Sequence, residues 1–109
     1  MNEWTPITEA KLYELILKSE NEMSFKEQRY WDKIKINPKK WNEKSYGNKG
    51  DGFWAVGVIG NEVIWYNDIE DGFNISEYSV YGTIDEYLCN QDELHHVIQQ
   101  YAYYLENGN

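Results

Sequence analysis

The sequence predicts one α+β domain over residues 1–109, in which a three-stranded antiparallel meander packs with two N-terminal helices and one C-terminal helix. Three observations support this order, α-α-β-β-β-α. Apolar residues recur at helical spacing near both ends of the chain. The middle consists of β-branched and aromatic runs separated by turn residues. Aromatic residues make up 17% of the chain, a fraction that excludes disorder, and the length is that of a single domain.

The two N-terminal helices are predicted from their start and stop signals. The first runs from Thr8, a good N-cap residue, to about Met23. The second begins within "SFKE", where Ser24 and Glu27 have the spacing of a capping box. We expect Pro38 to stop it, because the residue before a proline disfavours the helical conformation.

A hairpin is predicted after a polar, Gly-rich loop at residues 42–52. The segment "FWAVGVIGNEVIWYNDI" contains two strand-like runs around Gly60-Asn61, which suits a tight two-residue turn. Such a turn predicts three opposed pairs: Val58 with Val63, Val56 with Trp65, and Trp54 with Asn67. Neither face of this hairpin is polar. We therefore expect both faces to be at least partly covered, or one face to be a binding surface.

The remaining elements are a third strand and a last helix. Asp71-Gly72 predicts a second turn, followed by a strand within "NISEYSVYGTI". The helix is predicted from "CNQDELHHVIQQYAYYLENGN", with Asn90 as N-cap and Glu93 completing a capping box. Gly108 is placed to end this helix.

The charge is distributed unevenly along the chain. Residues 1–50 contain all ten Lys and Arg together with eight acids, a net charge of +2, whereas residues 51–109 contain eleven acids and no base. The second half must therefore project a negative potential. This disfavours nucleic acid and anionic membrane as partners. It favours a basic protein partner, whose association the field would accelerate. The alternative is that the acidity only maintains solubility.

The sequence predicts a cytoplasmic protein. The start of the chain lacks the pattern of a signal peptide. No apolar run approaches the roughly 20 residues that a membrane-spanning helix requires. Cys89 is the only cysteine, so an internal disulfide is excluded.

The stretch "IWYNDIEDGFN" is the densest group of candidate functional residues. It does not match an EF-hand loop, because Ile69 and Tyr78 fall where oxygen ligands are required. A looser divalent-cation site from Asp68, Glu70 and Asp71 stays open, as does a pair of catalytic acids at the first two. The simpler interpretation is a turn with positive φ whose acids are solvated at its tip.

Other reactive side chains give weaker indications. His95 and His96 are adjacent in the predicted helix and point about 100° apart, so we expect that they do not bind one metal together. Their spacing matches no zinc pattern. Cys89 is expected to be a small buried residue, since no base or oxyanion site accompanies it. We predict no cofactor, no metal and no catalytic residue.

Two stretches carry a resemblance to known proteins. The segments "GFWAVGVIGNEVIWYNDIEDGFN" and "GTIDEYLCNQDELHHVI" resemble a family of small, uncharacterised bacterial proteins. The size, the acidity and the α+β order are also similar to immunity proteins of polymorphic-toxin and contact-dependent growth-inhibition systems. That resemblance implies a non-enzymatic protein that occludes a cognate toxin, often a basic nuclease. It implies no catalytic residues.

The leading hypothesis is therefore an acidic protein-binding module of the immunity or antitoxin kind. The predicted partner-binding residues are Tyr66, Asp68, Glu70, Asp71, Phe73, Asp85 and Glu86. The acids would attract the basic partner, and the two rings would serve as apolar anchors. Two alternatives stay open. One is a small metal- or ligand-binding protein or enzyme that uses Asp68 and Glu70, and the other is a structural or regulatory subunit that homodimerises through the sheet.

Overall fold

A computed structural model describes residues 5–47 and 51–108 of the chain. Within them, three helices accompany one five-stranded sheet of order β4-β3-β2-β1-β5, in which only β5 runs parallel to its neighbour. The elements are α1 (Glu9–Glu22), α2 (Phe25–Ile34), β1 (Lys35–Glu43), β2 (Phe53–Ile59), β3 (Glu62–Asn67), β4 (Gly72–Glu77), β5 (Thr83–Ile84) and α3 (Leu94–Asn107). The α+β class is confirmed. The predicted three-stranded meander corresponds to β2-β3-β4 and is part of a larger, mixed sheet.

Both N-terminal helices begin as predicted. The Thr8 hydroxyl accepts a hydrogen bond from the backbone N–H of Lys11 at 3.2 Å. At the start of α2, the Ser24 hydroxyl accepts from the Glu27 N–H at 3.1 Å, and the Glu27 carboxylate accepts from the Ser24 N–H at 2.9 Å. This reciprocal pair satisfies two N–H groups that the helix itself leaves without partners.

The strand β1 corrects the prediction for the residues after α2. The helix ends at Ile34, and the chain continues directly as a nine-residue strand where we expected a stop at Pro38 and then a loop. The pairing of β1 with β2 shifts between Lys35 and Lys39. Pro38 lies inside this irregularity, where its missing N–H costs no regular ladder hydrogen bond. The proline therefore marks an irregularity within a strand and not the boundary of an element.

The β2–β3 hairpin has the predicted turn but only part of the predicted register. Gly60 adopts a positive φ of 57°, and Val58 pairs with Val63 as expected. Beyond Gly57 the register shifts by one residue because of a bulge at Val56. The observed pairs are therefore Ala55 with Trp65 and Trp54 with Tyr66, where we predicted Val56 with Trp65 and Trp54 with Asn67.

The bulge decides which side chains share a face, because a one-residue shift moves a side chain to the other side of the sheet. The helix-facing cluster consists of Val56, Ile64, Tyr66 and Phe73 from the sheet with Leu12, Ile16, Met23, Trp31, Leu94, Val97 and Ile98. The far-face cluster consists of Trp41, Phe53, Ala55, Val63, Trp65 and Ile84, and Tyr78, Tyr87 and Leu88 pack against it. Both faces are covered, as predicted.

The third predicted strand divides into two. Pairing of β4 with β3 ends at Glu77, and the chain then crosses to the opposite edge, where β5 pairs with β1. Along the way the rings of Tyr78 and Tyr81 pack against Trp41, with centroid distances of 5.1 and 4.8 Å. These ring contacts cover the far face in place of a helix.

The helix α3 begins later than predicted. Its N-cap is Glu93, which makes no side-chain capping bond, and Asn90 is not a cap. The backbone of Asn90 is instead held by Asn74, whose side chain accepts from its N–H at 2.9 Å and donates to its carbonyl at 3.2 Å. Gly108 ends the helix with φ of 68°, as expected. In the part of the chain that the structure describes, no helix has the length and apolar character needed to cross a membrane.

Candidate functional site

The acidic turn, residues 68–71, is shaped by one buried amide. The side-chain oxygen of Asn67 accepts hydrogen bonds from the N–H groups of Ile69 at 3.0 Å and Glu70 at 3.2 Å. Asn67 is fully buried. Asp71 completes the turn in the left-handed region, with φ of 59°. The predicted positive-φ turn is therefore present, and its acids are presented on a backbone that side-chain hydrogen bonds hold in place.

A second segment packs directly against this turn. The amide nitrogen of Asn67 donates to the carbonyl of Leu88 at 2.9 Å, and Asn74 holds Asn90 on both its N–H and its carbonyl. Gly72 permits this approach. A methyl group at position 72 would lie 2.2 Å from the carbonyl oxygen of Asn90. Only a glycine therefore lets the two segments come so close.

This contact brings further acids beside the acidic turn. The N–H of Phe73 donates to the carbonyl of Asp92 at 2.8 Å. A small pocket of about 90 Å³ forms here, and Asp71, Asp92 and Glu93 line it together with Lys18 of α1. From the sequence we predicted only that Asp92 and Glu93 lie near the start of the last helix. No local pattern signals their position, because it depends on pairing between segments distant in sequence.

Tyr66 and Phe73 belong to the core. They are 6% and 3% exposed, and their ring centroids are 4.8 Å apart. The Tyr66 hydroxyl donates to Asp71 at 3.5 Å. Burial, followed by the negative charges of Asp71 and Asp68, raises the pKa of the Tyr66 phenol to about 12. The structure therefore places both rings beneath the acids, where they support the turn.

Asp68 ties the N-terminal segment to the turn. Its Oδ2 accepts the N–H of Ile7 at 2.6 Å, and the carbonyl of Ile7 accepts from the Trp54 indole at 3.3 Å. Asp68 and Glu70 are only partly exposed. Both follow the end of β3, so the strand geometry on which we expected them to converge does not apply. Asp71 is the exposed acid of the turn.

Asp85 and Glu86 form a separate patch. They are exposed and follow β5, which lies at the other edge of the sheet from β4. Asp85 accepts a hydrogen bond from the Ser79 hydroxyl at 2.6 Å. Beside Ser79, Val80 and Tyr81 are 65% and 59% exposed. This patch therefore combines carboxylates with exposed apolar groups.

The described ion pairs leave these acids uncompensated. Lys26 pairs with Glu106, and Lys35 pairs with Asp32 at 3.0 Å. Among the described residues, Asp71, Asp85 and Glu86 form no ion pair. Their carboxylates are therefore available to cationic groups of a partner, subject to screening by salt.

The histidines and the cysteine differ from expectation. The rings of His95 and His96 have centroids 4.3 Å apart. Candidate ligand atoms of Glu93, His95 and His96 all lie within 4.8 Å of one another, so the expectation that the two histidines point apart is wrong. Within residues 5–47 and 51–108, no comparable group includes the acidic turn. Cys89 is exposed, where we expected it to be buried.

Comparisons with family models, with curated proteins and with solved structures found no match for this chain. A proposal for its function therefore rests on the charges and contacts described above. Chemically, the site offers carboxylates that can pair with cationic groups and accept hydrogen bonds from them.

Proposed function

We propose that the chain is a non-enzymatic binding module that captures a basic protein with its acidic surface, as an immunity or antitoxin-like inhibitor does. The observation that carries this proposal is the charge of residues 51–109, eleven acids and no base. Of these acids Glu106 pairs with Lys26, and the large excess of negative charge that remains accelerates the encounter with a basic partner and disfavours acidic ones.

The geometry supports fixed presentation of the acids. Hydrogen bonds from Asn67 hold the backbone of the acidic turn, and Asn74 holds the segment beside it. Because the turn is ordered before binding, little conformational entropy is lost when a partner is captured. Asp71, together with Asp92 and Glu93, would meet cationic groups first.

The remaining proposed partner-binding residues divide into two roles. Asp68, Tyr66 and Phe73 support the turn through their buried contacts, whereas Glu70 and Asp71 lie at its surface. The second patch, Asp85 and Glu86, adds acids next to the exposed Val80 and Tyr81. Tyrosine, unlike valine, is enriched among interface hot spots, which makes Tyr81 the stronger candidate anchor of this patch. We propose that this patch supplies the apolar contact that the buried rings of the turn do not.

Affinity capture tests the proposal. The protein is immobilised and used to capture proteins from the native lysate at low and high salt. We expect a basic partner that is retained at low salt and released at high salt, because screening weakens attraction between exposed charges. The double variant Glu70→Lys/Asp71→Lys should lose this partner while keeping its circular dichroism spectrum.

A matched control makes the same charge change elsewhere. Glu14→Lys/Glu22→Lys alters two exposed acids of α1 and should retain the partner. If both double variants lose the partner equally, net charge alone explains the capture, and the assignment of the site is contradicted. Asp85→Lys/Glu86→Lys tests the second patch in the same way.

A further inference from the structure

The start of α3 holds a compact group of metal-ligating side chains, of which the proposed function uses only Glu93. Glu93, His95 and His96 each offer a ligand atom, and these atoms lie within 4.8 Å of one another. Glu93 and His96 are exposed, and His95 is half-buried. A cation could therefore reach the group from solvent.

The conformation of the N-cap explains how the group forms. Glu93 has extended dihedral angles, φ of −78° and ψ of 154°, so its side chain leaves the regular helical wheel. His96 is the third residue of the helix after this cap, the position that a capping box brings beside the N-cap side chain. Glu93 makes no side-chain capping bond, so its carboxylate is not committed to the helix.

Ser19 of α1 orients one imidazole. Its hydroxyl lies 3.1 Å from Nδ1 of His95, and Ser19 is 3% exposed. Metal-binding histidines generally donate their second ring N–H to such an outer partner, which fixes the ring and directs the other nitrogen to the metal. With Nδ1–H donating to Ser19, Nε2 of His95 carries the free lone pair.

The dimensions and the donor set indicate the class of cation. Bonds of about 2.0–2.1 Å to a tetrahedral Zn²⁺ place neighbouring ligand atoms about 3.3 Å apart, so a contraction of about 1.5 Å from the present separations would close the group. Rotation of the exposed Glu93 and His96 side chains can supply it. Two imidazoles favour Zn²⁺, Co²⁺ or Ni²⁺ over Ca²⁺ and Mg²⁺, which prefer oxygen ligands.

The surrounding charge balances the helix terminus. A cation at the start of a helix meets the positive end of its dipole. Asp71 and Asp92 line the pocket beside Glu93 and oppose that effect, and they outnumber Lys18, the one basic residue that lines the same pocket. Residues 51–109, which include the whole group, contain no base.

We propose that Glu93, His95 and His96 form a binding site for a transition-metal dication such as Zn²⁺, with Ser19 as the partner that orients His95. Three protein ligands leave at least one coordination position open for water. This proposal does not depend on the capture of a basic protein.

The site is tested by isothermal titration calorimetry, in which Zn²⁺ alone is added to the full chain. We expect one equivalent to bind to the unaltered protein and to Cys89→Ser, which removes the exposed thiol as a competing ligand. His96→Ala should abolish stoichiometric binding. Ser19→Ala should weaken binding by about 10-fold to 100-fold, the usual effect of removing an outer partner. Glu106→Gln, an exposed acid at the other end of α3, should bind as the unaltered protein does.

Each result of these zinc titrations supports or overturns a specific part of the proposal. Absence of binding by the unaltered protein, or binding unchanged in His96→Ala, would overturn the site. Loss of binding in Cys89→Ser would assign the metal to the thiol. Binding unchanged in Ser19→Ala would overturn its orienting role. His96 is exposed, so its substitution leaves the core intact, and circular dichroism of each metal-free variant verifies folding.

Discussion

Asn67→Ala should destabilise the fold, because the Asn67 side chain holds the acidic turn in place. The substitution removes three hydrogen bonds, to the N–H groups of Ile69 and Glu70 and to the carbonyl of Leu88. With about 1 kcal/mol for each bond, the loss is about 3 kcal/mol. A domain of this size is stable by roughly 5–15 kcal/mol, so the variant should still fold.

Urea denaturation followed by tryptophan fluorescence measures the effect. The slope of the unfolding free energy against urea should not change, because the surface exposed on unfolding is the same. Asn107→Ala is the control, since its side chain makes one exposed hydrogen bond to the carbonyl of Tyr103. A loss for Asn67→Ala no larger than that of the control would refute the inference that one amide organises the turn.

Three further predictions concern the core and the turn. Among the described residues, no acceptor faces the buried Trp41 indole N–H, so the cost of Trp41→Phe in urea denaturation is that of the smaller ring in the core and includes no lost hydrogen bond. Trp65→Phe should cost about 1–3 kcal/mol more than Trp41→Phe, because it also deprives the buried Ser76 hydroxyl of the N–H that it accepts at 2.9 Å; equal costs for the two variants would contradict this account. Gly72→Ala should destabilise by about 1–3 kcal/mol, since its methyl group meets a backbone carbonyl oxygen at 2.2 Å, and an unchanged thermal midpoint would count against that contact. Tyr66 has its pKa raised to about 12, so the folded state keeps its proton where the unfolded state has lost it. Its stabilising contribution is complete below pH 10 and is lost as the pH rises from about 10 to about 12. In an absorbance titration of tyrosinate, the phenol that titrates last should be missing in Tyr66→Phe.

Local signals predicted the parts of the fold that depend on local chemistry. The capping box at Ser24 and Glu27, the turn at Gly60 and the end of α3 at Gly108 each involve residues close in sequence. Elements set by distant contacts could not be predicted in this way. The bulge at Val56 follows no sequence rule, yet it reverses which residues of β2 face the helices.

The candidate site likewise has features that local sequence predicts and features that depend on distant contacts. The excess of acids and the turn at Asp71 are readable from the sequence. The position of Glu93 beside that turn is not, because it depends on Asn74 holding Asn90. The error over His95 and His96 has a related cause. An ideal helix was assumed at a terminus where the N-cap is extended and a residue of another helix fixes one ring.

The way in which the sheet ends restricts how another protein could engage this one. At the β4 edge, Phe73 already pairs with Asp92, and at the opposite edge β5 offers only two residues. The rest of β1 carries Pro38 and three lysines, Lys35, Lys39 and Lys40, which are the residues that natural edge strands use to prevent further pairing. Little continuous backbone is therefore open for a partner strand to extend the sheet. A protein that bound here would therefore be contacted mainly through side chains, and substitution of single surface residues could alter which partner fits.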